Sequence, residues 1–279
     1  MIIGISIIYY AFQIEPKQIN IRELNVKSAF WHNKPIKIAF LSDIHGDQFH
    51  TNPKRISEII NIVLNQKPDI VFLGGDYAGA MFKKSHEPGS RYENKTNEEN
   101  EYHYKIISSL NDLSKAPLGA FAIMGNHDCW WSCEHTRNAF AKTKIKFLEN
   151  QNYHINNLGY DFYVIGLEDR QTQKPDFNKA SIGIPNSSDI ITLEHNPSLF
   201  KSSYPYTKIM FSGHTHGGQV RFPFIGAPVQ ASSFTEETMK GIVTKDKSNL
   251  VISSGVGETG LPIRLGVPPE ILIVNLTSL

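Results

Sequence analysis

Five apolar runs in this chain end in the same kind of residue. IKIAFL (36–41) runs into LSDIH, DIVFLG (69–74) into GGDY, LGAFAIM (118–124) into GNHD, DIITL (189–193) into EHN, and KIMF (208–211) into SGHTH. A short apolar run closed by Gly, Asp, Asn or His reads as a buried strand that leaves the core through a polar turn. In an open α/β sheet such turns gather beyond the carboxyl ends of the strands, so clusters far apart in sequence are expected to converge.

Between the runs the apolar spacing changes. Ile56, Ile59, Ile60, Val63 and Leu64 repeat at helical spacing, as do Ile106, Ile107, Leu110 and Leu113, and Pro68 separates helix from strand. This alternation predicts an α/β sheet. The second half reads mostly as strands, with YDFYVIGLED, LVISSG and EILIVNL added to the runs above, and the last two are expected to pair antiparallel. A chain of 279 residues at 40% hydrophobic composition can bury a large core without cross-links. No repeat or linker divides it, so the reading is one domain over 36–279 preceded by an apolar segment and lead-in over 1–35.

That first segment, MIIGISIIYYAF, is apolar and uncharged. It falls short of the roughly 20 residues a spanning helix needs and lacks the basic start of a secretory signal. It reads either as a short interfacial anchor, or the remnant of a longer one, or as a first strand or core-packed segment. Residues 83–100, KKSHEPGSRYENKTNEEN, read as a long exposed insertion, either covering substrate or making a disordered surface excursion. Cys129 and Cys133 form neither a disulfide framework nor a closed zinc site, and are expected to be reduced thiols. Lys plus Arg number 28 against 27 for Asp plus Glu, which gives no global field to draw nucleic acid or an anionic membrane. The expected partner is a small molecule or a lipid.

The strand-end residues are metal-ligand types: Asp43, His45, Asp76, Asn126, His195, His214 and His216. Carboxylate, amide oxygen and imidazole together suit Mn, Zn or Fe rather than an oxygen-only calcium cage or a thiolate zinc site. The set is too large for one ion. Two divalent ions about 3.5–4 Å apart, bridged by one carboxylate, would use all of it, with Asp76 the candidate bridge.

In this order, D-x-H, G-D, G-N-H-D, H and G-H-x-H resemble the motifs of the calcineurin-like metallophosphoesterase family. SGHTHGGQV and SSGVGETGLPIRLGVPPEI further resemble a membrane-linked bacterial branch of it, so the resemblance runs from about Ile36 to the end. It implies a four-layer αββα sandwich of two mixed β-sheets flanked by helices. It implies that Asp43, His45 and His216 hold one ion, that Asn126, His195 and His214 hold the other, and that Asp76 is shared. His127 would contact the scissile phosphate and the leaving oxygen, with Asp128 beside it as an orienting group. A hydroxide held between the ions would then attack a phosphodiester, phosphomonoester or pyrophosphate, on a substrate plausibly lipid-linked. Two alternatives stand beside this: a UDP-2,3-diacylglucosamine pyrophosphate hydrolase of lipid A synthesis, and a metal-binding scaffold without catalysis. The location implied is bacterial, either cytoplasmic or peripheral to a membrane.

Other residues carry weaker signals. His32, His50, His86, His103, His135 and His154 stand in no motif and are read as surface or core residues. Asp47 and His50 read as loop polarity. Trp130 and Trp131 read as core anchors in preference to a pocket wall, RFPFIGAPV as either a lipid contact or an irregular loop, and Arg221 and Arg264 as serving surface solvation or local pairing in preference to phosphate contacts.

Overall fold

The computed structural model describes residues 2–47, 49–79, 96–203, 206–228, 235 and 238–279. The chain opens with helix α1 (Ile2–Tyr9), continues through a wider π-helical turn (Tyr10–Ile14) and a tighter 3-10 turn (Glu15–Lys17), and enters strand β1 (Asn20–Ser28). The opening segment is therefore helical, not a first strand, with residues 4–10 exposed and Ala11 packed into the core, and residues 20–28 of the lead-in belong to the sheet.

The first apolar run forms β2 (Ile36–Leu41), whose side chains are almost all buried. Helix α2 (Pro53–Asn65) begins at Asn52, whose side chain accepts from Arg55 N, and it carries Pro53 in its first turn, where a missing N–H costs nothing. It buries Ile56, Ile59, Ile60 and Val63. Strand β3 (Ile70–Leu73) follows. The expected insertion lies outside the described residues as far as residue 95. Its last residues instead start helix α3 (Asn97–Ser109), because Thr96 and Glu99 form a capping box. Next come β4 (Ala120–Ala122), α4 (Asn126–Phe140) and β5 (Lys146–Phe147).

The second half supplies β6 (Gln151–Asn157), β7 (Tyr160–Gly166), the short helix α5 (Phe177–Ala180), β8 (Ile190–Leu193), the short helix α6 (Phe200–Ser203) and β9 (Ile209–Ser212). Strands β10 (Gly241–Lys245), β11 (Ser248–Ile252) and β12 (Glu270–Ser278) close the chain.

Two six-stranded mixed sheets result, in the orders β1-β12-β2-β3-β4-β5 and β10-β11-β9-β8-β7-β6. Strands β2 to β5 run parallel, as do β7, β8, β9 and β11. The expected antiparallel pairing of the last two runs does not occur: β11 pairs with β9 and β10, while β12 crosses to the other sheet between β1 and β2. The intervening segment 253–269 makes the crossing, and apolar pattern alone cannot distinguish a hairpin from a crossing. The sheets pack face to face through an aromatic core, with Phe211 at 5.3 Å from Phe40 and 5.5 Å from Phe72 between ring centroids. Helices α2, α3 and α4 cover the outer face of the first sheet, and among the described residues short helical pieces cover the second. The expected sandwich is the observed architecture.

Candidate metal centre

All five motif clusters leave the carboxyl ends of parallel strands: β2 for Asp43 and His45, β3 for Asp76, β4 for Asn126 and His127, β8 for His195, and β9 for His214 and His216. The turns after β2 and β3 stay tied together, with Asp43 N donating to Gly75 O and His45 N to Asp76 O, both at 2.9 Å. Five of the candidate ligands themselves take left-handed backbone angles: Asp43 (φ 53°), His45 (42°), Asp76 (59°), His214 (70°) and His216 (50°). Such conformations cost about 1–3 kcal/mol each in a residue that is not glycine, and they persist where the surroundings enforce them. Gly75 and Gly217 take positive φ in these turns, 93° and 59°, whereas two other motif glycines serve by being small. A Cβ on Gly125 would collide with the Asp76 carboxylate, and one on Gly213 with Asp43 and Ser42, so these positions need space rather than an unusual φ.

The ligand atoms converge. Asp43, His45 and His216 form one group able to hold a metal ion, Asp76, His195 and His214 another, and His45, Asp76 and His127 a third. His216 Nε2 lies 3.4 Å from Asp43 Oδ1 and 3.1 Å from His45 Nε2. Asp76 Oδ2 sits between the first two groups, 3.5 Å from His45 Nε2 and 3.1 Å from His195 Nε2. The other ring nitrogens are held from behind, His195 Nδ1 by Gly74 O at 2.7 Å and His45 Nδ1 by Ala78 O at 3.1 Å. That arrangement makes Nδ1 the protonated nitrogen and turns Nε2 toward the centre. Asn126, next to Gly125, is buried, and its Oδ1 has no hydrogen-bond partner among the described residues. A buried amide oxygen left without a donor fits a cation.

His127 is half-buried at the start of α4, its N–H donating to Asp76 Oδ1 at 2.8 Å. Its ring meets the His45 ring edge-on at 4.6 Å and the Trp130 ring at 4.7 Å, and Nε2 lies 3.5 Å from Thr259 Oγ1. Asp128 is fully buried and its carboxylate accepts from the backbone N–H groups of Asp76, Tyr77, Ala78 and Gly125 at 2.7–3.1 Å. Its position makes it a positioning residue for the Asp76 turn.

Burial alone would raise the Asp76 carboxyl, but the imidazoles of His195, His127 and His45 outweigh it and hold it well below the carboxylate range. Burial opposes charge on His195, yet the Asp76 and Asp43 carboxylates raise it well above an ordinary imidazole. Burial and His127 push His45 down to about 3, burial and Arg264 hold His216 well below its usual value, and burial with His195 lowers His214. Asp76 and Asp43 thus favour the imidazolium form of His195, whose Nε2 proton must leave before that nitrogen coordinates.

Several surroundings correct the sequence reading. Trp131 is a core residue, but Trp130 is exposed and flanks His127. Arg264 is fully buried and donates to the carbonyls of Val267, Ser254, Gly255 and Gly257, so it fastens the 253–267 crossing rather than facing solvent. Asp47 is buried and caps its own turn, accepting from Phe49, His50 and Thr51 N–H groups. Cys129 and Cys133 are joined in a disulfide, not reduced; α4 breaks its helical geometry at Ser132 between them and brings their Cα atoms to 4.1 Å. Thr259 at the site was not anticipated, although its GETG turn lies in the SSGVGETGLPIRLGVPPEI block that carried the resemblance.

Residues 36–218 match the model of the calcineurin-like phosphoesterase family. The chain is 31% identical to metallophosphoesterase Cj0846 of Campylobacter jejuni, across 94% of this chain and 63% of that one, so it spans less than two thirds of that relative's length. It is 26% identical to metallophosphoesterase YkuE of Bacillus subtilis over 96% of this chain and 89% of that one. It is 28% identical to the phosphodiesterase YaeI of Escherichia coli over 87% and 82%. Among solved structures it resembles calcineurin-like phosphoesterase YfkN of Bacillus subtilis at a TM-score of 0.45 and 17% identity, covering 86% of this chain and 90% of that one.

Proposed function

The chain belongs to the calcineurin-like phosphoesterase family, and from that premise we propose that it is a two-cation hydrolase of a phosphoester or pyrophosphate bond, on a substrate with an apolar or lipid portion. The observation that carries the reading is the place of Asp76 Oδ2, shared between the His45 side and the His195 side of one ligand cluster. Asp43, His45 and His216 would hold one ion, Asn126, His195 and His214 the other, and Asp76 both. Mn, Zn or Fe fits this oxygen and nitrogen set.

The ions, when bound, supply positive charge to the phosphoryl oxygens and lower the pKa of a water nucleophile. The chain's own residues do the rest. Gly74 O and Ala78 O fix the ring orientations of His195 and His45. Asp128 holds the backbone from Asp76 to Ala78 so that the shared carboxylate keeps its aim. His127 stands half-buried at the rim with Nε2 toward Thr259, where its proton can pass to a departing alkoxide or phosphate. The start of α4 adds a favourable dipole for an anion beside it. An apolar portion of the substrate is supported by the exposed Trp130 in α4 beside His127, and by the exposed Leu261 and Phe49 in the chain segments that carry Thr259 and His45.

The test is hydrolysis of bis(p-nitrophenyl) phosphate and of UDP-2,3-diacylglucosamine by metal-depleted protein resupplied with Mn or Zn. Turnover is expected only with metal, and His127→Ala should lower kcat about 10²–10⁴-fold with metal content unchanged. Metal-loaded protein that turns over neither substrate nor any other phosphoester would leave the scaffold reading in its place.

A further inference from the structure

Two segments far apart in sequence leave large apolar side chains in water, and they meet. Helix α1 is apolar on every side, and each residue from Gly4 to Tyr10 is exposed. A helix apolar all round is stable only where apolar surroundings enclose it. The second segment follows the metal-ligand loop directly. Six residues after His216, the chain turns through a tight hairpin closed by reciprocal bonds between Phe222 and Gly226, both 3.0 Å. At its tip Phe224 is fully exposed and held at φ 67°, and Ile225 beside it is 77% exposed. A bulky aromatic at positive φ in a turn is an outlier where Gly, Asn or Asp would sit without strain. Fold stability gives no reason to keep it there.

Ile7 of α1 and Tyr10 just after it line one groove with Phe222, Pro223, Leu265 and Arg221, and the buried Glu15 carboxylate, which accepts from Gly266 N, closes its inner end. The groove adjoins the reaction site: Arg221 N bonds Leu265 O, Gln219 Nε2 bonds Thr259 O, and Thr259 touches His127. Cations border it, with Arg221 inside and the exposed Lys17 at the end of the opening helical turns. We propose that α1 and the 222–226 hairpin form one lipid-docking face, which seats the protein on an anionic bilayer with the mouth of the metal centre at headgroup level. An apolar helix exposed on all sides fits hydrocarbon, which surrounds it, better than a protein groove, which covers one side. Lys17 and Arg221 would meet lipid phosphates. The docking rests on this surface alone; that it presents a lipid substrate rests on the phosphohydrolase reading.

The test is co-sedimentation of the full chain with phosphatidylcholine vesicles, with and without phosphatidylglycerol. Binding is expected to rise with phosphatidylglycerol. It should fall about tenfold or more in Phe224→Asp/Ile225→Asp and again in Ile5→Asn/Ile8→Asn. His127→Ala should bind as the parent does, and the hairpin variant should hydrolyse a soluble diester as the parent does. Binding therefore reads out even if hydrolysis fails. The proposal is overturned if the parent pellets no more with vesicles than without, or if the hairpin variant binds equally well. It is also overturned if the parent is a dimer that the hairpin variant makes monomeric and neither binds vesicles, since the face would then join two copies.

Discussion

At the residue scale, the ligands carry the strain and the glycines make the room. The D-x-H and G-H-x-H spacings announce ligand identity, but nothing in residue type reveals that Asp43, His45, Asp76, His214 and His216 hold left-handed backbones, because Asp and His are ordinarily right-handed or extended. Replacing Gly213 by Ala sets a methyl group against Asp43 and Ser42. Gly213→Ala should retain the fold by circular dichroism and lose about 100-fold in kcat/KM, since a displacement near 1 Å at a reacting centre costs that much. An unchanged kcat/KM would show that Asp43 has slack. Titration belongs to this scale too. His195 is raised above an ordinary imidazole by Asp76 and Asp43, so a cation must displace its proton, and affinity should increase as pH rises through that raised value and then level off. Calorimetry in buffers of different ionisation enthalpy should record the released proton in the parent and a smaller release in His195→Asn. Affinity independent of pH across neutrality would contradict the imidazolium assignment.

At the element scale, strand ends were legible and their couplings were not. Each of the five apolar runs became a strand, and each cluster emerged at its carboxyl end, because burial and period are local properties. The crossing of β12 into the first sheet, the break in α4 at Ser132 and the disulfide across it depend on contacts that hydrophobic pattern does not encode. Asp128 shows the same limit. Its place in GNHD marked it as part of the site, but its four backbone N–H partners show that it ties the start of α4 to the turn after β3. Asp128→Asn would turn an amide NH2 toward N–H donors, at a cost of about 1–3 kcal/mol for the mismatch. Thermal unfolding should shift down accordingly and metal affinity should fall with it. A stable variant with full metal affinity would place the burden of the turn elsewhere.

At the scale of the whole molecule, two sheets share one aromatic core and bring their strand ends together over it, so the centre is as rigid as the sandwich beneath it. Phe211, packed between Phe40 and Phe72, holds the sheets together without touching the centre's ligand list. Phe211→Ala should destabilise the fold by about 3–5 kcal/mol in denaturant titration and leave the number of ions per chain unchanged. A variant that keeps its stability but loses an ion would couple core and centre in a way this packing does not. The central claim is that one cluster, hinged on Asp76, holds two cations that act together. Its direct measurement is metal content per chain by mass spectrometry, taken alongside diester hydrolysis as Mn or Zn is returned to depleted protein. Two ions per chain are expected, with activity rising only as the second binds, and one ion in each of His45→Ala and His195→Ala. Full activity at one ion per chain, or two ions retained in both variants, would contradict it.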